Sequence, residues 1–379
     1  MKKRRWIFVF GMLLFAACIF FFLGKSIDEI TDKRSPAALE QEISTGKTDE
    51  PASLTLLAYY TGDEDSYNAL QAAASYLTTV SADIYVVQSD GSISGMDEKG
   101  VRNWDTAHSI ETYACISNYN SDPAVDDFDA ELVHTAITSY RERLIAELVA
   151  LAKESGYAGI NIDFENLSYS SNIAEDRAAF TSFIQELAES LHANDLKLIV
   201  SIPGKTDDSS GNTWAYPFDL QLLGEAADHL QLMTYDEHGP WGEPGALAGA
   251  DWVETCLQFA VSQVEPKKLL IGLPAYGYDW DLTASDGSTG SYIASDVSWK
   301  DFPALLEKEG AEMKWDSSSQ SPYLTYSEEG HAHVVWFENE ESIRIKTALV
   351  KKYNLAGISV WALGKENESF WQAVQTGLE

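Results

Sequence analysis

Apolar stretches recur along the chain at regular intervals, and amphipathic segments that predict helices lie between most of them. The two clearest helical patterns, Asp129–Ser155 and Glu175–Ala193, place apolar side chains three or four residues apart. Strands that alternate with helices in this way build parallel sheets covered by helices. The spacing predicts an α/β protein in which eight strands close into one (β/α)8 barrel. The predicted strands are Leu54–Tyr60, Asp83–Gln88, Glu111–Asn118, Gly159–Glu165, Leu196–Pro203, His229–Tyr235, Lys268–Ala275 and Ala356–Trp361.

The segment Ile160–Asn166 alternates strictly between apolar and polar residues, which predicts a strand with Asn161, Asp163 and Glu165 on one face. An ordinary strand with its polar face in water has the same pattern. In a helix-covered barrel, however, this face points into the interior, where an ionised group is costly unless it is paired or functional. Two acids near the carboxyl end of a barrel strand therefore predict an active site.

This segment resembles the signature of glycoside hydrolase family 18, Asp-x-x-Asp-x-Asp-x-Glu on the fourth strand of a (β/α)8 barrel. The four acidic positions of that signature correspond here to Ala158, Asn161, Asp163 and Glu165. The last two acids are kept and the first two are replaced. Asparagine at the position of Asn161 is usual in the branch that contains spore-cortex-lytic enzymes.

Two later motifs resemble the same branch, namely Met-Thr-Tyr-Asp-Glu-His at 233–238 and Val-Trp-Ala-Leu-Gly at 360–364. The resemblance covers residues 53–376. It implies a chitinase-like glycosidase that cleaves β-1,4 bonds after N-acetylglucosamine in peptidoglycan, with the spore cortex as the expected material. Chitin is the alternative substrate. A non-catalytic glycan-binding module is the other alternative, because the family includes lectin-like members that have lost the acid.

The resemblance also implies a substrate-assisted, retaining mechanism, in which the acetamido oxygen of the sugar attacks the anomeric carbon. Glu165 is the implied proton donor and later the base that activates water. Asp163 orients the acetamide and raises the pKa of Glu165 by like charge, and Tyr235 hydrogen-bonds the acetamide oxygen. Neither a cofactor nor a metal is expected. The substrate-binding candidates are Asn161, Met233, Asp236, Trp361, Tyr59, Asn118 and Tyr276, with Tyr60 and Trp336 as further sugar contacts.

Each of these candidates has an ordinary alternative. Tyr235 and Trp361 have the pattern of core aromatics, Asp236 that of a loop cap, and Asn161 that of an interior amide. Their joint occurrence at predicted strand ends favours a functional site. Asn161 cannot ionise or share a proton with Asp163, so the substitution predicts an altered pH profile.

Residues 277–335 interrupt the alternation of strands and helices. They lie between the seventh strand and the next helix, which is expected to begin near Asn339. The segment combines a helical pattern at Asp301–Glu309 with short strand patterns at Glu312–Trp315, Tyr323–Tyr326 and His333–Phe337. A structureless loop of this length inside a compact domain is uncommon. We therefore expect a small inserted α+β subdomain, which in the family forms one wall of the substrate groove.

The chain begins with four basic residues at 2–5 and continues with an apolar run from Trp6 to Gly24. This run approaches the about 20 residues that cross a bilayer, and the basic flank predicts a cytoplasmic N-terminus. Residues 1–25 are therefore expected to form a membrane anchor and residues 26–52 a polar linker, with the domain at 53–379 outside the cell. A cleaved signal peptide, followed by secretion, is the competing interpretation.

The full chain has 26 basic and 59 acidic residues, for a net charge of −33. Such a charge repels nucleic acid, which is not expected as a partner, and it favours an uncharged substrate. Cys115 and Cys256 lie in predicted core elements, and two buried thiols are favoured over a disulfide. The pair His331 and His333 lacks the further ligands of a metal site and is expected to face solvent on a hairpin.

Overall fold

Eight parallel strands form the centre of the computed structural model, which describes residues 54–285 and 292–379. Each strand pairs with the next along the barrel, and the last pairs back with the first in the register Thr55 to Gly357, so the sheet is closed. The predicted eight-stranded barrel is confirmed. Its strands are β1 (Thr55–Tyr60), β2 (Thr79–Val87), β4 (Glu111–Ser117), β7 (Gly159–Asp163), β8 (Lys197–Pro203), β9 (His229–Met233), β10 (Leu269–Pro274) and β16 (Gly357–Trp361).

Helices cover the outside of this barrel, and short strands extend its loops. The strand β3 (Ile93–Gly95) pairs antiparallel with β2, and β5 (Tyr119–Asn120) pairs with β6 (Asp127–Phe128). The helices are α1 (Glu64–Ala73), α2 (Val101–Ala107), α3 (Ala130–Ser139), α4 (Arg141–Ser155), α5 (Ile173–His192), α6 (Leu220–Ala226), α7 (Ala250–Gln263), α8 (Phe302–Leu305), α9 (Glu340–Thr347), α10 (Leu349–Tyr353) and α11 (Glu368–Leu378).

Apolar side chains are buried in two places, because successive residues of a strand point to opposite faces of the sheet. A large cluster lies between the strands and the helices, and a smaller one that includes Leu57, Tyr59 and Cys115 fills the barrel interior. Phe164 belongs to the outer cluster and stacks on Phe183 of α5, with ring centroids 6.1 Å apart. The residues on either side of Phe164 therefore point inward.

Several predicted boundaries differ from the structure, and three of them are informative. The helix expected over Asp129–Ser155 is two helices, because Tyr140 leaves the helical conformation at φ −127° and ψ 20°. The run Ile-Thr-Ser-Tyr before this break consists of residues that favour helices weakly. Strand β2 begins at Thr79 rather than Asp83, and β7 ends at Asp163 rather than Glu165.

Between β10 and α9 the chain forms a separate five-stranded antiparallel sheet. The helical segment expected at Asp301–Glu309 is shorter, since α8 has only four residues and follows a single 3-10 turn. Helix α9 begins where expected, with Asn339 as its N-cap. The strands of this sheet are β11 (Tyr276–Ser285), β12 (Tyr292–Ser298), β13 (Glu312–Asp316), β14 (Ser321–Glu328) and β15 (His331–Trp336). They lie in the order β12-β11-β15-β14-β13.

Cys115 and Cys256 are both buried free thiols, as expected. The predicted anchor at 1–25 and the linker at 26–52 lie outside the described residues. Among residues 54–285 and 292–379, none of the helices combines the length and apolar character that crossing a membrane requires.

Candidate active site

Glu165 lies at the carboxyl end of the barrel, two residues beyond the last residue of β7. Its backbone is held by Asn118, whose Nδ2 donates to the Glu165 carbonyl at 2.9 Å and whose Oδ1 accepts from the Glu165 amide at 2.9 Å. Asn166, at φ 58°, then turns the chain away. Asn118 is fully buried, so the structure places it behind Glu165 instead of in contact with a sugar. Its part is to fix where the Glu165 side chain begins.

Below these acids, Asn161 is enclosed in the barrel interior. Ser81 Oγ donates to Asn161 Oδ1 at 2.7 Å, and Asn161 Nδ2 donates to Ser201 Oγ at 3.1 Å and to the carbonyl of Ile162 at 3.2 Å. The side chain has no exposed surface. Asn161 therefore supports the site from within and does not line the opening where a substrate enters.

Tyr59 continues this polar network across the interior. Its hydroxyl is hydrogen-bonded to Ser201 at 3.0 Å and donates to Gln231 Oε1 at 3.3 Å, while Gln231 Nε2 donates to Ser359 at 2.9 Å. Tyr59 is buried, and its ring lies 5.3 Å from that of Trp361, which is half-buried at the end of β16. Tyr59 thus packs beneath Trp361 instead of lining an open surface.

Asp163 and Glu165 both have raised pKa values. Asp163 is buried, and its Oδ1 has no hydrogen-bond partner within the described residues. Burial raises the pKa of Asp163 to about 6, although the Ser201 hydroxyl acts in the opposite direction. Burial, followed by the charges of Asp163 and Asp236, raises the pKa of Glu165 well above its ordinary value. A protonated Glu165 beside an ionised Asp163 is therefore the favoured state above about pH 6.

Tyr235 follows β9 and occupies space left by a glycine. A Cβ on Gly272 would lie 2.9 Å from Cε1 of the Tyr235 ring and 2.4 Å from the Leu232 carbonyl oxygen. The glycine on β10 thus permits the Tyr235 ring to lie over the strand end. Burial, then the charges of Asp163 and Glu165, raises the pKa of the Tyr235 hydroxyl, so it remains a hydrogen-bond donor.

Asp236 adopts a left-handed backbone conformation at φ 63°, and two tyrosines hold its side chain. Tyr276 donates to Asp236 Oδ1 at 2.7 Å, and Tyr278 donates to the same oxygen at 3.1 Å. Burial raises the pKa of Asp236, while these two hydroxyls lower it. Tyr276 itself is buried, so the structure places it as a partner of Asp236 and not on the cavity surface.

A cavity of about 400 Å³ opens beside Glu165. Three of the residues that line this cavity are tryptophans that the sequence analysis did not select. Trp214 is 44% exposed and Trp241 is 66% exposed, whereas Trp252 is held against Gly204, where a Cβ would lie 2.7 Å from its ring. Trp214 and Trp241 lie in the loops after β8 and β9, and Trp252 lies in the first turn of α7, so the sequence alone gives only a weak signal that the three side chains meet. The cavity is lined by Glu165, Pro203, Gly204, Trp214, Met233, Tyr235, Asp236, Trp241 and Trp252.

The remaining aromatic candidates lie elsewhere. Among the described residues, Tyr60, Trp336 and Trp361 do not belong to the lining of this cavity. Tyr60 is buried, and Trp336 stacks on Tyr323 within the inserted sheet at 4.7 Å between ring centroids. The peptide bond between Trp361 and Ala362 is cis.

The sequence analysis also missed Asp83 on β2. Burial and the charge of Asp163 raise the pKa of Asp83 to about 7, and the Cys115 thiol acts in the opposite direction. The available signal was the alternation Ser-Ala-Asp at 81–83, which places both polar residues on one face. This signal was lost because the predicted strand began at Asp83.

Nothing in the described parts of the chain gathers three or more His, Cys, Asp or Glu side chains in a metal-binding group. His333 Nδ1 is hydrogen-bonded to Asp279 at 2.9 Å, and His331 Nδ1 to Asp281 at 2.6 Å. His331 is exposed, as expected, whereas His333 is half-buried.

Comparisons with known proteins agree with this architecture. The model of the family described as glycosyl hydrolases family 18 matches residues 55–366. "Uncharacterized glycosylase YvbX" of Bacillus subtilis (strain 168) is 39% identical over 324 residues, which are 85% of this chain and 90% of that protein. The cortical fragment-lytic enzyme of the same organism is 28% identical, over 82% of this chain and 70% of that protein.

A solved structure also shares the fold. The crystal structure of a chitinase from Chromobacterium violaceum has a TM-score of 0.79 and 36% sequence identity, covering 86% of this chain and 99% of that chain. The family match covers most of the chain, and the resemblance seen in the signature around Glu165 is confirmed. The chain therefore belongs to glycosyl hydrolases family 18, and the protein is a glycosidase.

Proposed function

We propose that this glycosidase hydrolyses the β-1,4 bond after N-acetylglucosamine in cell-wall peptidoglycan, with the spore cortex as its material. The pair formed by Glu165 and Asp163 at the barrel mouth supports glycoside hydrolysis, and the similarity to a cortical fragment-lytic enzyme over 82% of this chain supports cortex peptidoglycan as the substrate. Burial and the neighbouring charges raise the pKa of Glu165 well above its ordinary value and so favour its protonated form, while Asp163, with a pKa of about 6, is ionised at neutral pH. Such a pair can deliver a proton and stabilise a positive charge at the same time.

In the first proposed step, Glu165 donates its proton to the glycosidic oxygen and the bond from that oxygen to the anomeric carbon breaks. The carbonyl oxygen of the 2-acetamido group attacks the anomeric carbon from the opposite face and forms an oxazolinium ion. Asp163 carries the negative charge that faces this cation. Tyr235, whose hydroxyl remains protonated, donates a hydrogen bond to the acetamide oxygen.

In the second proposed step, the ionised Glu165 takes a proton from water, and the water oxygen attacks the anomeric carbon. The ring of the oxazolinium opens, the acetamido group is restored, and the product keeps the β configuration. Trp214 and Trp241 offer exposed aromatic faces along the cavity, on which the apolar faces of sugar rings can stack. Met233 and Asp236 complete the subsite beside Glu165.

Chitin is the second candidate substrate, and a specific observation favours it. The chain is 36% identical to a chitinase but only 28% identical to a cortical fragment-lytic enzyme. Both polymers contain N-acetylglucosamine, so the catalytic pair does not separate them. A purely glycan-binding role is less well supported, because Glu165 is kept and its pKa is raised.

Product analysis tests the proposal. The full-length chain is incubated separately with purified cortex peptidoglycan and with N-acetylglucosamine oligomers, and the products are identified by mass spectrometry. We expect peptidoglycan fragments with N-acetylglucosamine at the reducing end, and proton NMR should detect the β anomer first. Muramic acid at the reducing end, or cleavage of the oligomers alone, would contradict the cell-wall proposal. Glu165→Gln should release no product, and Glu189→Gln, on the exposed side of α5, is its control variant.

We also propose that residues 1–25 anchor the protein in the cell membrane and leave the glycosidase outside the cytoplasm. The basic residues at 2–5 and the apolar run after them support this orientation. Protease added to intact protoplasts should digest the domain, while a fluorescent tag at the N-terminus stays protected. A soluble mature form that begins after residue 18 would instead support cleavage of a signal peptide.

A further inference from the structure

The strand register places two aspartates in one layer of the barrel. Asp83 on β2 pairs with Cys115 on β4, and Cys115 pairs with Asn161 on β7. The strands of a barrel are tilted against its axis. An inward side chain therefore lies level with a side chain two strands away that is about two residues beyond its register partner, towards the carboxyl end. The hydrogen bond from Ser81 to Asn161 has this relation. Asp83 lies two residues after Ser81, and Asp163 lies two residues after Asn161. Both side chains therefore point into the barrel interior, one layer closer to the mouth of the barrel.

Strand β2 changes its register directly after Asp83. Asp83 is paired with Cys115, but Tyr85 is already paired with Ile116, so Ile84 is an extra residue on β2. Bulges of this kind re-aim side chains and are frequent beside active sites. Asp83 is therefore the last residue on β2 that follows the regular inward alternation.

The surroundings of Asp83 consist of groups that resist a second negative charge. Cys115 faces it from β4, and Asp163 faces it from β7 with Glu165 beyond. Tyr59 on β1 interacts with both Asp163 and Cys115. Asp163 Oδ1 has no hydrogen-bond partner among the described residues, so an acceptor site on this carboxylate is free for a proton. Asp163 is buried and Asp83 is half-buried, and joint ionisation of two neighbouring carboxylates in this arrangement is unfavourable.

We propose that Asp83 is the proton-sharing partner of Asp163, in the role that a carboxylate at position 161 would otherwise have. This inference rests on the proposed function of Asp163. A single proton shared by the two carboxyl groups leaves the pair with one negative charge, which matches the single positive charge of the oxazolinium ion. Asn161 cannot supply this proton because its amide does not titrate. Asp83 acts through Asp163 and is a positioning residue.

The pH profile of kcat/KM on a chromogenic N-acetylglucosamine oligomer tests this role. While Asp163 ionises, Asp83, with a pKa of about 7, still holds the shared proton and stabilises the Asp163 carboxylate, so Asp83→Asn should raise the pKa of Asp163. Once ionised, Asp83 is a negative neighbour of Glu165, so its removal should lower the pKa of Glu165. The acid limb requires ionised Asp163 and the alkaline limb requires protonated Glu165, so the acid limb should move to higher pH and the alkaline limb to lower pH, each by about 0.5 to 1 unit. Adding Asn161→Asp to this variant should move the limbs back. Normalised curves that superimpose on those of the parent would overturn the proposal.

Asp105 provides a matched control. Burial raises the pKa of Asp105 to about 7 as well, but Asp105 lies on α2 and accepts a hydrogen bond from Thr112 at the start of β4, away from the barrel mouth. Asp105→Asn should leave both limbs in place. An equal shift in this variant would overturn the assignment to Asp83, since the effect would then be general.

A second measurement does not depend on activity. In the full-length chain labelled with ¹³C-aspartate, the carboxyl carbons of Asp83 and Asp105 should titrate near pH 7, and Asp105→Asn distinguishes the two. In Asp163→Asn, the midpoint of Asp83 should fall by about 0.5 unit while that of Asp105 stays. An unchanged Asp83 midpoint would overturn the coupling. If the coupling is observed in a protein that cleaves no glycan, the proposed function fails and the proton sharing stands.

Discussion

Two buried acidic regions of the molecule differ in whether a buried cation lies beside the acid. Glu338, before α9, is fully buried and accepts a hydrogen bond from the equally buried Lys346 Nζ at 2.6 Å. At the barrel mouth, Asp163 and Glu165 form no ion pair with any described residue. Burial raises the pKa of the acids in both regions, but only at Glu338 does a buried cation, Lys346, act in the opposite direction. The paired acid supports the fold, whereas the unpaired acids are ready to hold and release a proton.

Glu165→Gln should have the largest effect on activity in this comparison. The amide cannot donate a proton, so kcat should fall by about 10³- to 10⁴-fold, the upper end for a required general acid. Glycan binding and the thermal melting temperature should be retained, because the substitution removes no ion pair. Steady-state kinetics and calorimetric titration with an N-acetylglucosamine oligomer measure the two effects. Turnover within tenfold of the parent would remove Glu165 from this role.

Lys346→Met should have the opposite profile. The substitution leaves Glu338 buried without its cation, and the free energy of unfolding should fall by about 3–5 kcal/mol. Urea denaturation measures this loss, and kcat per folded molecule should stay within about twofold of the parent. The double variant Lys346→Met with Glu338→Gln should recover part of the stability, because the uncompensated charge is removed. A large loss of kcat in folded protein would contradict the separation of the two regions.

Gly272→Ala should reduce activity by displacing the ring of Tyr235. The added methyl group would contact the Tyr235 ring and the Leu232 carbonyl, and we expect kcat/KM to fall by about 10- to 100-fold. Gly377→Ala is the matched control, since its Cβ would lie 2.7 Å from the Arg344 carbonyl oxygen, far along the chain in α11. Both variants should lose stability in thermal melts. If both lose activity equally per folded molecule, the effect is not specific to Tyr235.

Asn161→Asp should have the smallest effect, a displacement of the pH profile. A third carboxylate beneath Asp163 should raise the pKa of Asp163, so the acid limb of kcat/KM moves to higher pH by about 0.5 to 1 unit. The acid limb of the profile requires ionised Asp163, so a higher pKa of Asp163 moves this limb to higher pH. Measurement from pH 4 to 9 checks the shift, and Asn161→Ala serves as a control that alters packing without adding charge. Superimposable normalised curves would return Asn161 to a structural role.

Local pattern, together with the alternation of strands and helices along the chain, was enough to single out the strand that leads to Asp163 and Glu165. Because side chains alternate along a strand, the order of residues at 160–166 places Phe164 on the helix side and both acids on the interior side. The same reasoning located the eight barrel strands, since each is a short apolar run between helical patterns. Strand ends were less reliable. The end of β7 and the start of β2 depend on pairing with neighbours, which the sequence of one strand does not contain.

Only the tertiary structure decided which residues accompany the two acids. Asn118, Tyr59 and Tyr276 were candidates for sugar contact because they follow or end strands, but each is buried and bonded to a residue of the site. Asp83 is 80 residues from Asp163 in the chain and meets it through barrel tilt and register. Contacts of this kind depend on how the sheet closes, and closure is a property of all eight strands together.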